Sequence, residues 1–201
     1  MIKKDKFNGV SVRRFFLFSL VFLPLCFYIW HVLAPAIAIP VGWSVEKIAI
    51  TFWPDLFSVM ELSKAQLFVE MSMGEKEGKI LPASIAGNRL GFYVETRLLT
   101  FSLPFYSALL LAIPNGSFNR HHVIGLIFIL IFCIAGAVGF CLKESLILLG
   151  PGLFEESVFL PIELIVFFYQ FSILIFPTLG PVLILGVIYH IEGADAESDI
   201  S

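Results

Sequence analysis

The side chains able to do chemistry are few, and nearly all sit in apolar surroundings. Cys26, Cys133 and Cys141 lie in strongly apolar stretches, and no cysteine falls in a polar segment. An odd count placed this way is not a disulfide framework. A nucleophilic thiolate needs a partly exposed, electropositive setting, so the three read as small buried hydrophobes. His31, near the outer end of the first apolar stretch, reads as an interface histidine, with a catalytic or ligand role as the alternative. His121 and His122 are adjacent and cannot point the same way, so with Arg120 they read as a basic anchor rather than a metal site. Lys143 and Glu144 close the third apolar stretch. Neighbours one apart do not share a helix face, so each is expected to snorkel to the interface rather than to pair. Glu163 opens the fourth stretch, and Gln170 further along it reads as a helix–helix hydrogen bond. Pro177 and Pro181 around Gly180 would break that last helix, as at some transport sites, but read as tolerated kinks. Glu61, Glu70, Glu75, Glu77 and Glu95 read as a solvated face. There is no P-loop, Gly-x-Ser-x-Gly, His-Glu-x-x-His or Cys-x-x-Cys pattern, so no catalytic residue, metal or cofactor is assigned.

Composition says which solvent these groups meet. Of 201 residues, 58% are hydrophobic and 14% charged, with a mean hydropathy of +0.92. A soluble domain is about 45–50% apolar and about 25% charged, so an ordinary soluble enzyme is excluded. Disorder, collagen and coiled coil are excluded by the absence of a polar bias, a Gly-X-Y period or charged heptads. A net charge of −3 and a pI near 5.8 leave no basic field for nucleic acid. The expected partner is membrane lipid. A spanning helix needs about 20 apolar residues, and the stretches 15–34, 98–113, 123–142 and 164–190 approach or meet this. The fold expected is an α-helical integral membrane protein with about four transmembrane helices and a small β-rich extracytoplasmic segment between the first and second. Lys3, Lys4, Lys6, Arg13 and Arg14 make residues 1–14 a cytoplasmic N-terminus. The first stretch reads as an uncleaved anchor, because it is longer than a signal-peptide core of about 7–15 residues. Crossings then alternate: 35–97 outside, 114–122 inside, 143–163 outside, and an acidic tail, 191–201, inside. Arg120 in the inner loop, and Glu155 and Glu156 in the outer one, agree with that orientation. The sequon Asn115-Gly-Ser117 falls on the cytoplasmic side and is discounted.

Residues 35–97 are the only substantial polar part. Ser44 could cap a short helix whose apolar side is Val45, Ile48, Ala49 and Phe52, with Trp43 and Trp53 suited to the headgroup region. That pattern predicts an interfacial helix on the outer leaflet, or a plain extension of the first span. Beyond Pro54 the period changes. Leu67, Val69 and Met71 alternate with Phe68, Glu70 and Ser72, which predicts a strand. Gly74-Glu-Lys-Glu-Gly78 is a charged turn, followed by extended Lys79-Ile-Leu81 and a further strand from Gly91 to Arg97. Three strands make a small sheet, too little for an independent core.

The order of features carries a resemblance. A span containing Leu23-Pro-Leu-Cys-Phe-Tyr-Ile-Trp30 leads into Ala34-Pro-Ala-Ile-Ala-Ile-Pro40. An amphipathic helix to Trp53-Pro54 follows, then the β-rich segment, then Leu99-Thr-Phe-Ser-Leu-Pro104-Phe-Tyr-Ser-Ala-Leu-Leu-Leu-Ala112. Across about residues 15–115 this resembles the exosortase H-associated membrane proteins. The resemblance implies a bacterial inner-membrane accessory to an exosortase-type protein-sorting transpeptidase, and carries no catalytic residues. The sorting enzyme itself is a second reading: Cys26, Arg97 and His121 supply its residue types. The cysteine lacks the small-residue motif, and the expected topology keeps His121 on the cytoplasmic side. The function expected is a non-enzymatic accessory presenting its outer module to a sorting enzyme or its substrate. A small transporter or channel subunit, and an intramembrane transpeptidase or hydrolase, are the alternatives. The candidate functional or interface positions are His31, Trp43, Trp53, Arg97 and Gln170.

Overall fold

The computed structural model describes residues 12–113 and 120–198, with side chains at 13–113 and 120–190. The expectations about Lys3, Lys4, Lys6, Asn115 to Ser117 and the acidic side chains of the tail lie outside the described residues. The chain is mostly helical, with a small β region after the first helix.

Helix α1 is one uninterrupted helix, Val12–Phe52. This corrects the expected division into a span at 15–34 and a separate short helix capped by Ser44. Pro24, Pro35 and Pro40 all lie inside it. An interior proline loses one hydrogen bond and crowds the carbonyl four residues earlier. Ending the helix would instead leave four carbonyls without partners, a larger cost among apolar side chains with no water to take them. The apolar side of the C-terminal part was legible in Val45 and Ala49, both fully buried. It meets other parts of the protein rather than a leaflet, and Phe52, assigned to the same side, is 59% exposed.

Five strands follow, more than the three expected. Strands β1 (Phe57–Ser63), β2 (Gln66–Met71) and β5 (Gly91–Glu95) form an antiparallel sheet in the order β1-β2-β5. Strands β3 (Met73–Lys76) and β4 (Lys79–Pro82) form a separate hairpin, followed by the single turn α2 (Ala83–Ala86). The hairpin turns on Glu77 (φ 55°) and Gly78 (φ 73°). Two successive positive φ values give the turn whose twist matches antiparallel strands. The alternation in β2 is as expected: Leu67, Val69 and Met71 are buried, and Phe68 and Glu70 face the other way. Strand β5 ends at Glu95, not Arg97, because Thr96 begins α3 (Thr96–Thr100). The Thr96 amide and hydroxyl both donate to the Ala65 carbonyl, at 3.0 and 2.6 Å.

Helix α4 (Ser102–Ala112) holds Pro104 in its first turn, where the missing amide costs nothing. Helix α5 (Arg120–Ser157) outruns the expected span 123–142 and turns at Gly150, φ 75°, before Pro151. A positive-φ glycine followed by proline stops one helix and starts the next. Most of the expected outer loop 143–163 is therefore helical. Helix α6 (Ile162–Gln170) passes through a π-helical turn (Phe171–Ile175) into α7 (Phe176–Ser198). Pro177 and Pro181 lie within α7 and do not end it. The wide π turn lies just before Pro177, which has no amide to pair, so the register changes without ending the helix. Among the described residues, three helices are long and apolar enough to cross a membrane: Arg13–Phe52, Arg120–Ser157 and Ile162–His190. The expected second span corresponds to a shorter apolar helix, Thr96–Ala112.

The chain divides into two compact units. One takes the described residues of Met1–Val32, Phe101–Ile129 and Phe176–Ser201. Within it α4 packs along α7, and the buried Tyr106 hydroxyl donates to the His122 carbonyl at 3.3 Å. His122 is 1% exposed, edge-on to the Tyr189 ring. The expected basic anchor thus reduces to exposed Arg120 and half-buried His121. The other unit takes Leu33–Thr100 and Leu130–Ile175. Its core joins Val41, Val45 and Ala49 of α1 and Leu67, Val69 and Met71 of β2 with Ala137, Cys141 and Leu142 of α5.

Candidate functional site

The three-stranded sheet spends one face on that core. Register fixes what the other face presents, because side chains alternate and opposed residues stand about 4.5–5.5 Å apart. Three rows run across β1, β2 and β5: Glu61–Phe68–Tyr93, Ser63–Gln66–Glu95 and Val59–Glu70–Gly91. The middle of the face is aromatic. Phe68 and Tyr93 have ring centroids 4.9 Å apart, and Tyr93 is 65% exposed. Gly91 makes room for them: a Cβ there would stand 2.8 Å from Phe68 Cζ, so the ring covers the glycine. Around the pair the face is polar. Arg89 Nη1 reaches Glu70 Oε2 at 2.8 Å, Gln66 Nε2 donates to Glu95 Oε2 at 3.1 Å, and Glu61 is exposed. The exposed ion pair adds at most about 1 kcal/mol of stability. Three carboxylates face two guanidinium groups, Arg89 beside Glu70 and Arg97 beside Glu95, so the rim is mixed in sign. The face has an aromatic centre and a polar rim, which is the anatomy of a protein–protein contact.

The five positions singled out from sequence are dispersed. His31 is exposed on α1. Trp43, also on α1, is 62% exposed. Trp53 is buried just beyond α1 and stacks on Phe159, centroids 5.9 Å apart and planes at 14°. Arg97 is half-buried in α3, its Nε 3.9 Å from Glu95 Oε1. Gln170, the last residue of α6, is exposed and its side chain makes no hydrogen bond among the described residues, so it is not the expected helix–helix bond. Phase explains this: seven residues after buried Ile165, Ser172 returns to the same side of the helix, and Gln170 does not. Ser172 meets Gly136, where an added Cβ would lie 2.8 Å from the serine Cβ. Among the described residues, no hydrogen bond, ion pair or ring contact joins any two of Trp43, Trp53, Arg97 and Gln170.

A further correction concerns Lys143 and Glu144. Lys143 Nζ and Glu144 Oε1 are 2.6 Å apart, both side chains 24% exposed, and the ammonium lies 5.0 Å from the Tyr169 ring centroid. Their Cβ atoms diverge, but the flexible lysine stem closes the gap where little water competes for either charge.

Sequence reading assigned Glu61, Glu70 and Glu95 to a solvated face and set Phe68 in alternation with Leu67, Val69 and Met71, but it missed the pairing that gathers them. The Phe68–Tyr93 pairing joins β2 to β5 across the intervening β3–β4 hairpin and α2, so no local turn marks it.

Comparison with curated proteins and with solved structures returned no match. The family model of the exosortase H-associated membrane proteins matches residues 10–189, taking in α1, both sheets and the helices after them. That is wider than the 15–115 over which the sequence motifs carried the resemblance. The chain belongs to the exosortase H-associated membrane protein family.

Proposed function

We propose that this chain is a non-enzymatic accessory of an exosortase-type sorting system in the bacterial inner membrane, holding residues 57–95 on the extracytoplasmic side as a docking face for the sorting enzyme. The exposed Tyr93 ring against half-buried Phe68, inside a polar rim, carries the reading. A large aromatic left in water on a sheet face whose other side is fully used is the residue type that dominates binding energy at contacts. The mixed rim, Glu61, Glu70 and Glu95 with Arg89 and Arg97, favours a partner surface carrying charges of both signs at its edge.

The helices support the placement. At about 1.5 Å per residue α1 is roughly 60 Å long, about twice a hydrocarbon core of some 30 Å. One part of α1 crosses, and the part bearing Val41, Val45 and Ala49 stands beyond the membrane with the sheet. Arg13 and Arg14 keep its start in the cytoplasm. Thr96–Ala112, about 25 Å by the same rise, returns the chain as a short crossing. Burial of Cys26, Cys133 and Cys141 argues against a thiol nucleophile.

The test is co-purification of the full chain with the cognate exosortase in mild detergent. Phe68→Ala with Tyr93→Ala is expected to cut retention at least about 10-fold, about 1.4 kcal/mol. Undiminished retention removes the docking face, and intact sorting in a deletion strain removes the accessory role.

A further inference from the structure

Strand β5 is an edge of the three-stranded sheet, and the ladder fixes where its backbone points. At its two ends the Thr96 N–H donates to the Ala65 carbonyl at 3.0 Å, and the Met71 N–H donates to the Leu90 carbonyl at 2.8 Å. Both bonds continue the register that pairs Leu67 with Val94 and Val69 with Phe92. Bonded and non-bonded pairs alternate along an antiparallel ladder. Phe92 and Val94 therefore spend their backbone groups on β2, and Gly91, Tyr93 and Glu95 turn theirs to the free side. Among the described residues, no backbone group of these three has a hydrogen-bond partner. Gly91 is exposed, and a glycine's exposure is that of its main chain.

The two edges of the sheet differ. Strand β1 carries a bulge between Phe57 and Val59, and a bulge twists an edge away from other strands. Strand β5, Gly91-Phe-Tyr-Val-Glu95, pairs without a bulge and holds no lysine or proline to guard it. Its free side also has a direction. Strand β2 runs along α1: Ala65 packs with Ala34 and Ala38, a Cβ on Gly42 would stand 3.6 Å from Leu67, and Val69 and Met71 share a core with Val45 and Ala49. With α1 upright in the membrane, as in the proposed function, the strands stand upright beside it. The β5 edge then faces sideways, toward a neighbour rooted in the same membrane.

We infer that the sorting enzyme adds a fourth strand to this edge, an extended outer segment of its chain pairing with Gly91, Tyr93 and Glu95. The inference rests on the docking reading above and gives that contact its chemistry. Unpaired amides and carbonyls at every second residue are the complement of another extended backbone. Side chains narrow the segment further. Arg89, 49% exposed, favours an acid near one end of it, and Glu95, 35% exposed, favours a base near the other. Self-pairing of two antiparallel β5 strands does not fit. Its two-fold axis is perpendicular to the sheet and so lies across α1, which would send the first helices of the two copies through one membrane in opposite directions.

The experiment uses the full chain with the cognate exosortase in mild detergent, and reads amide hydrogen exchange residue by residue. When the complex forms, the amides of Gly91, Tyr93 and Glu95 are expected to slow together, while those of Phe92 and Val94, already bonded to β2, change little. Two pairs of variants separate the amide from the side chain. Tyr93→Ala removes the ring and keeps the outward N–H; Tyr93→Pro removes both and takes no bond from β2. Tyr93→Pro is expected to retain at least about 10-fold less enzyme than Tyr93→Ala, and Glu95→Pro less than Glu95→Ala in the same way. Thermal unfolding of each variant alone shows whether its sheet survives, and where a proline variant unfolds, exchange in the parent complex decides. A complex that forms while the three amides exchange freely overturns the added strand and leaves the docking face standing, as does equal retention within both folded pairs. A parent chain that retains no enzyme overturns both. Slow exchange of the three amides without enzyme, in a chain that light scattering shows to be dimeric, assigns the edge to a second copy and overturns the enzyme as its occupant.

Discussion

The two halves of α1 are equally greasy and are used in opposite ways. Along residues 13–32 large side chains stand outward: Phe16 is 68% exposed, Leu20 72% and Tyr28 69%. Along 33–52 a seam of small or β-branched residues, Ala34, Ala38, Val41, Val45 and Ala49, is at most 2% exposed. Hydropathy cannot separate these halves, because lipid and protein interior are both apolar solvents. Side-chain size can. Where a backbone must approach another element closely, small residues occupy the seam; where only lipid covers the helix, bulky residues are free to stand out.

The largest expected effect is a charge placed in each half. Val45→Asp buries a carboxylate with no partner in the core shared by α1, β2 and α5, at a cost of about 3 kcal/mol or more. Loss of the folded fraction in chemical denaturation of the detergent-solubilised chain checks this. Leu20→Asp leaves that core untouched and instead penalises insertion, by about 2.5–3.5 kcal/mol near a span centre, which reads out as a smaller membrane-bound fraction. If both variants fail in the same assay and to the same degree, the two halves do not differ in what covers them.

A smaller effect tests size rather than charge. Ala38 is 1% exposed and packs with Ala34, Ala65 and the flank of Leu62. Ala38→Leu overfills that seam and is expected to cost about 1–3 kcal/mol. Val32→Leu, at a position 61% exposed, is expected to stay within about 0.5 kcal/mol. Thermal unfolding followed by size-exclusion separates the two.

How far the sequence disclosed this arrangement depends on which rule governs each residue. The inward row of β2 was legible because Leu67, Val69 and Met71 obey a strict period of two. Strand β1 was not, because a bulge between Phe57 and Val59 shifts its phase, leaving Phe57 and Met60 as the buried positions. The end of α1 was misplaced because Pro35 and Pro40 are strong stop signals in water and weak ones among apolar neighbours. The aromatic pair Phe68–Tyr93 is a product of register, which joins residues far apart in the chain and leaves no local pattern. Lys143–Glu144 pairs because its surroundings withhold water, a fact no spacing rule contains.

The smallest expected effect concerns the turn that brings Ala65 to the α1 seam. Lys64 holds φ at 57°, in the left-handed region, while exposed to solvent. Its cost as a non-glycine residue there is about 1–2 kcal/mol. Lys64→Gly removes that strain but gives the unfolded chain more freedom, worth about 0.4–1 kcal/mol in the other direction. The net gain should be under about 1.6 kcal/mol and centred near about 0.8 kcal/mol, seen as a slightly raised midpoint in the same thermal assay. The sign matters more than the size. A gain means that the seam on α1 positions Ala65 and the turn yields to it, since a freer turn still closes in the same place. A loss means that lysine's restricted backbone holds the register of β1 against β2, and that the Ala34–Ala38 seam merely receives what the turn delivers.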